Sequence, residues 1–136
     1  MNEGLIIDII IGISIASVPL IFASIGELLV ERSGVLNLGV EGMMIVGALA
    51  GFVVQFHSGN AFLALLAAIL AGMAIASIFA FLTQILLTNH VATGLSLTLF
   101  GLGIAAFVGR GYSEVRIELI SAIHIPFLSD LPIVGP

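Results

Sequence analysis

In its 136 residues the chain carries 60% hydrophobic and only 8% charged side chains, about a third of the charge with which an ordinary soluble domain covers itself. That excludes a water-soluble globular domain and predicts an all-α, polytopic membrane protein. Eight acids stand against three arginines, with no lysine and no cysteine, for a formal net charge of −5; a basic nucleic-acid surface, a polybasic anchor, disulfides and thiolate metal sites are excluded with them.

About four transmembrane helices are predicted within residues 1–109. The first covers about Leu5–Ile25. The preceding Met1-Asn2-Glu3-Gly4 lacks the positive charge that opens a secretory signal, so this segment reads as a retained helix. It carries Asp8 near its start and Pro19 inside. Pro19 cannot donate to the carbonyl of Ile15, which predicts a kink, with Ser17 or a neighbouring helix satisfying the freed carbonyl. A kinked, packed helix is the simpler reading and a gating hinge the sharper one.

Between Glu41 and Arg110 there is no charged residue, and at about 20 residues per crossing this run holds roughly three membrane helices. They are placed at about 38–56, 61–87 and 91–108. The third is long for one crossing and is expected to tilt or to extend past the hydrocarbon. His57-Ser58-Gly59-Asn60 and Thr88-Asn89-His90 read as ordinary turns between them. Gly47 with Gly51, Ala68 with Gly72, Ala76 with Ala80, and Gly101 with Ala105 and Gly109 recur at helical spacing. In lipid such small residues let backbones approach closely, so each helix is expected to have packed neighbours.

Residues 110–136 change character. Val115, Ile117 and Leu119 alternate with Arg116 and Glu118, a period of two that predicts a short extended or interfacial stretch. Pro126, Pro132 and Pro136 then mark an irregular, membrane-external loop. With the sequence ending inside that loop, the expectation is a chain cut from, or interrupted within, a longer protein.

Most of the chemistry lies in a polar motif at 26–44, from Gly26 and Glu27 through Glu31-Arg32-Ser33-Gly34 to Asn37-Leu38-Gly39-Val40-Glu41-Gly42. Asn37 can serve as N-cap of the second helix, with Glu41 in its first turn where a negative charge suits the helix dipole. Gly34 and Gly39 allow a sharp turn or a close backbone approach. Two readings compete: a hydrated loop with a capped helix start, and a broken helix whose free amide end faces a polar cavity at membrane depth.

The string Gly-Glu-Leu followed by Glu-Arg-Ser-Gly-Val-Leu-Asn-Leu-Gly-Val-Glu-Gly-Met-Met, ending at Met44, resembles a signature of ABC-importer permeases of the branched-chain amino acid, ribose and simple sugar superfamily. The nucleoside and simple-sugar branch is the most similar. A second stretch, Asn89-His90-Val91-Ala92-Thr93-Gly94 through Gly103, is similar to that branch's Asn-Gln-Val-x-x-Gly segment, and the tail 125–136 resembles the loop that follows. His90 stands where the branch has Gln, adding a titratable group; a wet, polar helix end is the simpler reading of it.

The resemblance implies the N-terminal half of a larger permease bundle, a multi-pass component of the bacterial cell (inner) membrane in an ATP-driven importer for a simple sugar or nucleoside. It further implies a separate ABC ATPase subunit, a second permease subunit and an extracytoplasmic substrate-binding protein as partners, beside the lipid bilayer, with no nucleic acid and no cofactor. Family members are about twice as long and carry the ATPase-docking segment in the other half. The candidate pathway or structural residues are Glu31, Arg32, Ser33, Gly34, Asn37, Gly39, Glu41, Gly42, Asn89, Thr93 and Gly94. Glu31 and Arg32 are expected to act as a structural or coupling pair.

No Gly-x-x-x-x-Gly-Lys-Ser/Thr loop is present for ATP, and His57, His90 and His124 are expected in separate loops without ligand spacing. The chain therefore reads as a transport subunit and not an enzyme. A small self-associating structural or holin-like membrane protein would share the composition and the small-residue stripes, but it has no need of the order of residues from Glu31 to Met44. A secondary transporter would show an inverted repeat, which is not evident.

Overall fold

A computed structural model describes residues 3–115. Four long apolar helices carry the chain: α1 Glu3–Arg32, α2 Val40–Ser58, α3 Ala61–Ala80 with a π-helical extension Phe81–Ile85, and α4 His90–Gly109, followed by a short 3-10 turn Arg110–Tyr112. Each is long and apolar enough to cross a membrane, and the 19 residues of α2 reach about 28 Å, close to the hydrocarbon thickness. The chain is an all-α, multi-pass integral membrane protein.

Of the described residues, those up to Ile25 belong to one compact unit and those from Gly26 to a second. In the first, α1 runs through Pro19 as continuous helix. Its hydroxyls bond locally: Ser14 donates to the Ile10 carbonyl at 2.9 Å, Ser17 to Ser14 at 2.8 Å and Ser24 to Leu20 at 2.7 Å. A hydroxyl in hydrocarbon needs such a partner, and the preceding turn supplies it. Ser17 thus serves Ser14 and not the carbonyl of Ile15 that Pro19 leaves free.

In the second unit α1 continues for two turns past the expected end at Ile25, so Gly26–Arg32 is helix and the interruption shrinks to residues 33–39. Gly34 makes the reversal with φ +84°, the left-handed region that a Cβ disfavours. At the other end of α2, Gly59 adopts φ 63° and donates to the Gln55 carbonyl, a left-handed helix stop. Asn60 opens α3 by accepting from the amides of Phe62 and Leu63. His57 and Ser58 are therefore the last residues of α2, and His90 is the first of α4; helix hydrogen bonds absorb residues expected in turns. His124, the alternation at 115–119 beyond Val115, and the proline-containing loop lie outside the described residues.

Helix α2 is the centre of the second unit. On one side Gly47 and Gly51 meet α3: a Cβ on Gly47 would lie 3.1 Å from the Ala68 carbonyl oxygen, and one on Gly51 3.2 Å from that of Ala64. On the other side Gly42 meets α4 even more closely, with a Cβ only 2.7 Å from the Leu97 carbonyl oxygen and from the Thr98 Cα. Gly101 faces Gly42 in return, at 2.7 Å from its carbonyl oxygen. Buried Ile75, Phe79 and Leu97 form the core where α2, α3 and α4 converge, with Val35, Met43 and Val46 packed on it. The small-residue stripes at Gly47/Gly51 and Gly101 are thus helix contacts, whereas a Cβ at Gly109 would meet nothing within 4 Å among the described residues.

Where α2 ends, Tyr112 folds back on it. Its ring lies edge-on to Phe52, Phe56 and His57, with centroid separations of 6.0, 5.6 and 6.0 Å. Such T-shaped arrangements set the positive edge of one ring on the negative face of another.

Candidate functional site

The up-and-down course of the chain brings the end of α1, the start of α2, the end of α3 and the start of α4 to one end of the unit. Both sequence motifs lie there, and they dock on each other through bare backbone. A Cβ on Gly94 would lie 2.7 Å from the amide nitrogen of Leu38 and 2.8 Å from that of Gly39. Four residues further along α4, Thr98 donates its hydroxyl to the Leu38 carbonyl at 2.9 Å.

Asn37 is 6% exposed and organises the turn before α2. Its main-chain amide donates to Glu27 Oε1 at 2.9 Å, and its Oδ1 accepts the Gly39 amide at 2.9 Å. Among the described residues the carboxamide nitrogen has only the Met43 thioether, at 3.8 Å, a weak acceptor. Asn37 is therefore not the N-cap of α2. That position belongs to Gly39, with no side-chain cap, because Leu38 and Gly39 are pressed against Gly94 and the helix begins only beyond this contact, at Val40. Glu41 does occupy the first turn of α2, and its side chain is exposed.

The remaining candidates divide in two. Ser33 donates to the Val30 carbonyl at 2.6 Å, and Gly34 donates its amide to Glu31 at 2.8 Å, so both finish α1. Glu31 and Arg32 are exposed at its last turn; consecutive helix residues do not face each other, and no ion pair joins them among the described residues. Asn89 caps α4 by accepting the Ala92 amide at 3.0 Å, and Thr93 shares a 2.9 Å hydrogen bond with Thr88. The structure thus gathers Asn37, Gly39, Gly42 and Gly94 at one crossing and leaves Glu31, Arg32 and Glu41 outside it.

Sequence reading missed three participants. Glu27 was passed over as part of a loop, yet it is a helical acid whose Oε2 is buried without a partner among the described residues. The signal was available, since an ionisable residue within an apolar segment is a functional candidate by default. Thr83 is 2% exposed and donates to the Phe79 carbonyl at 2.8 Å. With Gln84 it sits in the π-helical turn, which places their side chains where an α-helical turn would not; such turns are frequent at functional sites, and nothing in the local pattern announces this one.

The π turn separates two recesses. One, of about 320 Å³, has Ser33, Asn37, Thr83 and Gln84 as its polar lining and Met43 and Phe79 among its apolar walls. The other, of about 410 Å³, is lined by Thr88, Asn89, Thr93 and Ser96 and closed by Leu97 and Phe100. Thr88 ties the α3–α4 link together, giving both its amide and its hydroxyl to the Leu82 carbonyl, at 3.1 and 2.9 Å. Leu87 is held at φ 53° just before it.

The sequence matches known proteins along most of its length. The family described as branched-chain amino acid transport system, permease component, matches residues 9–130. A Haloferax volcanii protein named as a glucose ABC transporter permease is 46% identical over 124 residues, covering 88% of this chain and 38% of its own length. A nucleoside ABC transporter permease of Lactococcus lactis is 32% identical, covering 93% of this chain and 43% of its own length. A guanosine ABC transporter permease of Bacillus subtilis is 30% identical, over 86% and 40% respectively. The chain spans about two fifths of the length of these relatives. No solved structure matches.

Proposed function

The chain belongs to the family of branched-chain amino acid transport system permease components, and from that membership we propose that it forms part of the translocation pathway of an ATP-driven importer for a simple sugar or a nucleoside. The observation that carries this reading is the meeting of the two motifs at Leu38, Gly39 and Gly94 beside two polar-lined recesses. Polar residues and irregular backbone within a membrane protein are tolerated where they line a cavity or brace one. Relatives named for glucose, nucleoside and guanosine transport support the substrate class.

The chain would move solute without bond chemistry. ATP hydrolysis falls to a separate ATPase subunit, solute delivery to an extracytoplasmic binding protein, and the other wall of the pathway to a second permease subunit. Asn37 would brace the pathway, with Asn89 and Thr93 lining its second recess and Glu41 presented from the first turn of α2. Glu31, Arg32, Ser33 and Gly34 shape the end of α1 beside it.

The test is uptake by proteoliposomes that hold the transporter assembled around this chain, with its ATPase and binding protein. We expect ATP-dependent accumulation of a sugar or nucleoside from a mixed panel, and at least a tenfold loss of rate in Asn37→Ala with a smaller loss in Glu41→Ala. No ATP-driven accumulation of any panel member would overturn the proposal, and full-rate uptake by Asn37→Ala would remove Asn37 from the pathway.

A further inference from the structure

We propose that the recess between the end of α1 and the π turn binds the base of a nucleoside, and that this site discriminates against hexoses and amino acids. The inference rests on the permease reading above and deepens it. Three observations lead to it: the charge of the lining, the distribution of its polar atoms, and one buried amide with spare donor capacity.

Among the described residues, none that lines the recess carries a formal charge. An amino acid presents an ammonium and a carboxylate, and burying either without a charged or strongly hydrogen-bonding partner is costly. The ligand is therefore neutral. Its size is bounded by the volume of about 320 Å³, at the small end of ligand sites.

The polar atoms are few and lie among apolar walls. Val30, Val35, Ala76 and Ala80 join Met43 and Phe79 in offering hydrocarbon, thioether and aromatic surface. A hexose carries hydroxyls around its whole ring, and several would face these walls unpaired, which forfeits the hydrogen bonds they make in water. A nucleobase has the complementary form: two apolar faces and one hydrogen-bonding edge. Aromatic and thioether groups suit such faces.

The edge has partners. Asn37 is more than nine-tenths buried, its Oδ1 is committed to the Gly39 amide, and among the described residues its Nδ2 has only the distant Met43 sulfur. That leaves an amide donor in the lining of the recess. Gln84 contributes a second carboxamide; its Nε2 lies 3.5 Å from the Thr83 hydroxyl, at the limit of a hydrogen bond, and its Oε1 is available to accept. A donor paired with a donor and acceptor matches a base edge bearing a carbonyl and an N–H, and carboxamides are well suited to reading such edges.

Thiol protection tests the site. The chain has no cysteine, so Ala80→Cys places its one thiol in the recess wall. In the assembled transporter, labelling by N-ethylmaleimide is expected to slow at least tenfold with saturating guanosine and to be unaffected by glucose or leucine. Adding Gln84→Leu is expected to raise the guanosine concentration needed for protection about tenfold. Equal protection by glucose or leucine, no protection by guanosine, or a thiol that never reacts because lipid or another segment fills the recess would each overturn the proposal. Protection that is unchanged by Gln84→Leu would overturn the edge recognition.

Uptake measured on the transporter without the substitution, beside the labelling of Ala80→Cys, separates the two readings. ATP-driven uptake of a sugar without guanosine protection removes the base site and leaves the importer. Guanosine protection without ATP-driven uptake of any solute retains the site and removes the importer.

Discussion

The main-chain amide of Asn37 donates to the side-chain Oε1 of Glu27 at 2.9 Å, so a carboxylate in α1 holds the turn that leads into α2. This bond joins a helix acid to the motif residue whose side chain also holds Gly39. Glu27→Gln retains an acceptor oxygen and is expected to lower stability by less than about 1 kcal/mol. Glu27→Leu leaves the amide without that acceptor and is expected to cost about 1–3 kcal/mol. Thermal unfolding in detergent measures both, and equal melting of the two variants would show that the bond contributes nothing.

The crossing of α2 and α4 has no room for a side chain. Gly42→Ala or Gly94→Ala puts a Cβ 2.7 Å from backbone atoms of the opposing segment; backbone cannot swing aside, so about 1–3 kcal/mol of overpacking is expected. A Cβ on Gly103, in the same helix as Gly94, would meet nothing within 4 Å among the described residues, and Gly103→Ala is the control expected to leave the melting temperature unchanged or slightly raised. Thermal unfolding of the three variants side by side checks the order.

Asn60 closes two orphan amides of α3, those of Phe62 and Leu63, at 2.9 and 3.2 Å. Asn60→Ala is expected to destabilise by about 1 kcal/mol, and Asn60→Asp or Asn60→Ser to recover most of it. Hydrogen exchange at the first turn of α3 reads the effect locally, as faster exchange of these two amides in the alanine variant.

Leu87 sits at φ 53° while 82% exposed, so it has the strain of a left-handed residue without the compensation of burial. The strain is about 1–2 kcal/mol, and part of its relief is offset by the greater unfolded-state freedom of glycine. Leu87→Gly is expected to raise stability by about 0.5 kcal/mol, seen as a small upward shift in the melting temperature. A lower melting temperature would show that Leu87 contributes contacts that outweigh its conformation.

Which parts of this were legible in the sequence follows from how local each cause is. Apolar runs free of charge gave four helices because membrane insertion depends on composition over a whole segment. Asn60 and Asn89 cap their helices from within three residues, a local cause, although 57–60 and 88–90 read only as ordinary turns. Asn37 reads as a cap, but the contact of Leu38 and Gly39 with Gly94 delays the helix start by two residues, and that contact joins residues far apart in sequence. The extension of α1 to Arg32 was hidden for a related reason. Charges at Glu27, Glu31 and Arg32 suggest a loop on composition, while helix continuity gives Glu27 a partner across the turn. The π turn around Thr83 has no period of its own to read.

Gly42 and Gly51 lie nine residues apart on α2, two and a half turns and hence opposite faces, and each is pressed against another helix, Gly42 on the backbone of Leu97 and Thr98 and Gly51 on the Ala64 carbonyl and the Ala68 methyl. Such a helix is keyed: turning it about its axis by a fraction of a turn would drive Met43 or Val46 into a seam that admits only hydrogen atoms. The bearing of every other residue on α2 is fixed as a result. Glu41, exposed in the first turn, looks outward along a set direction, so any motion of this segment must carry α2, with its neighbours at both seams, as a single body.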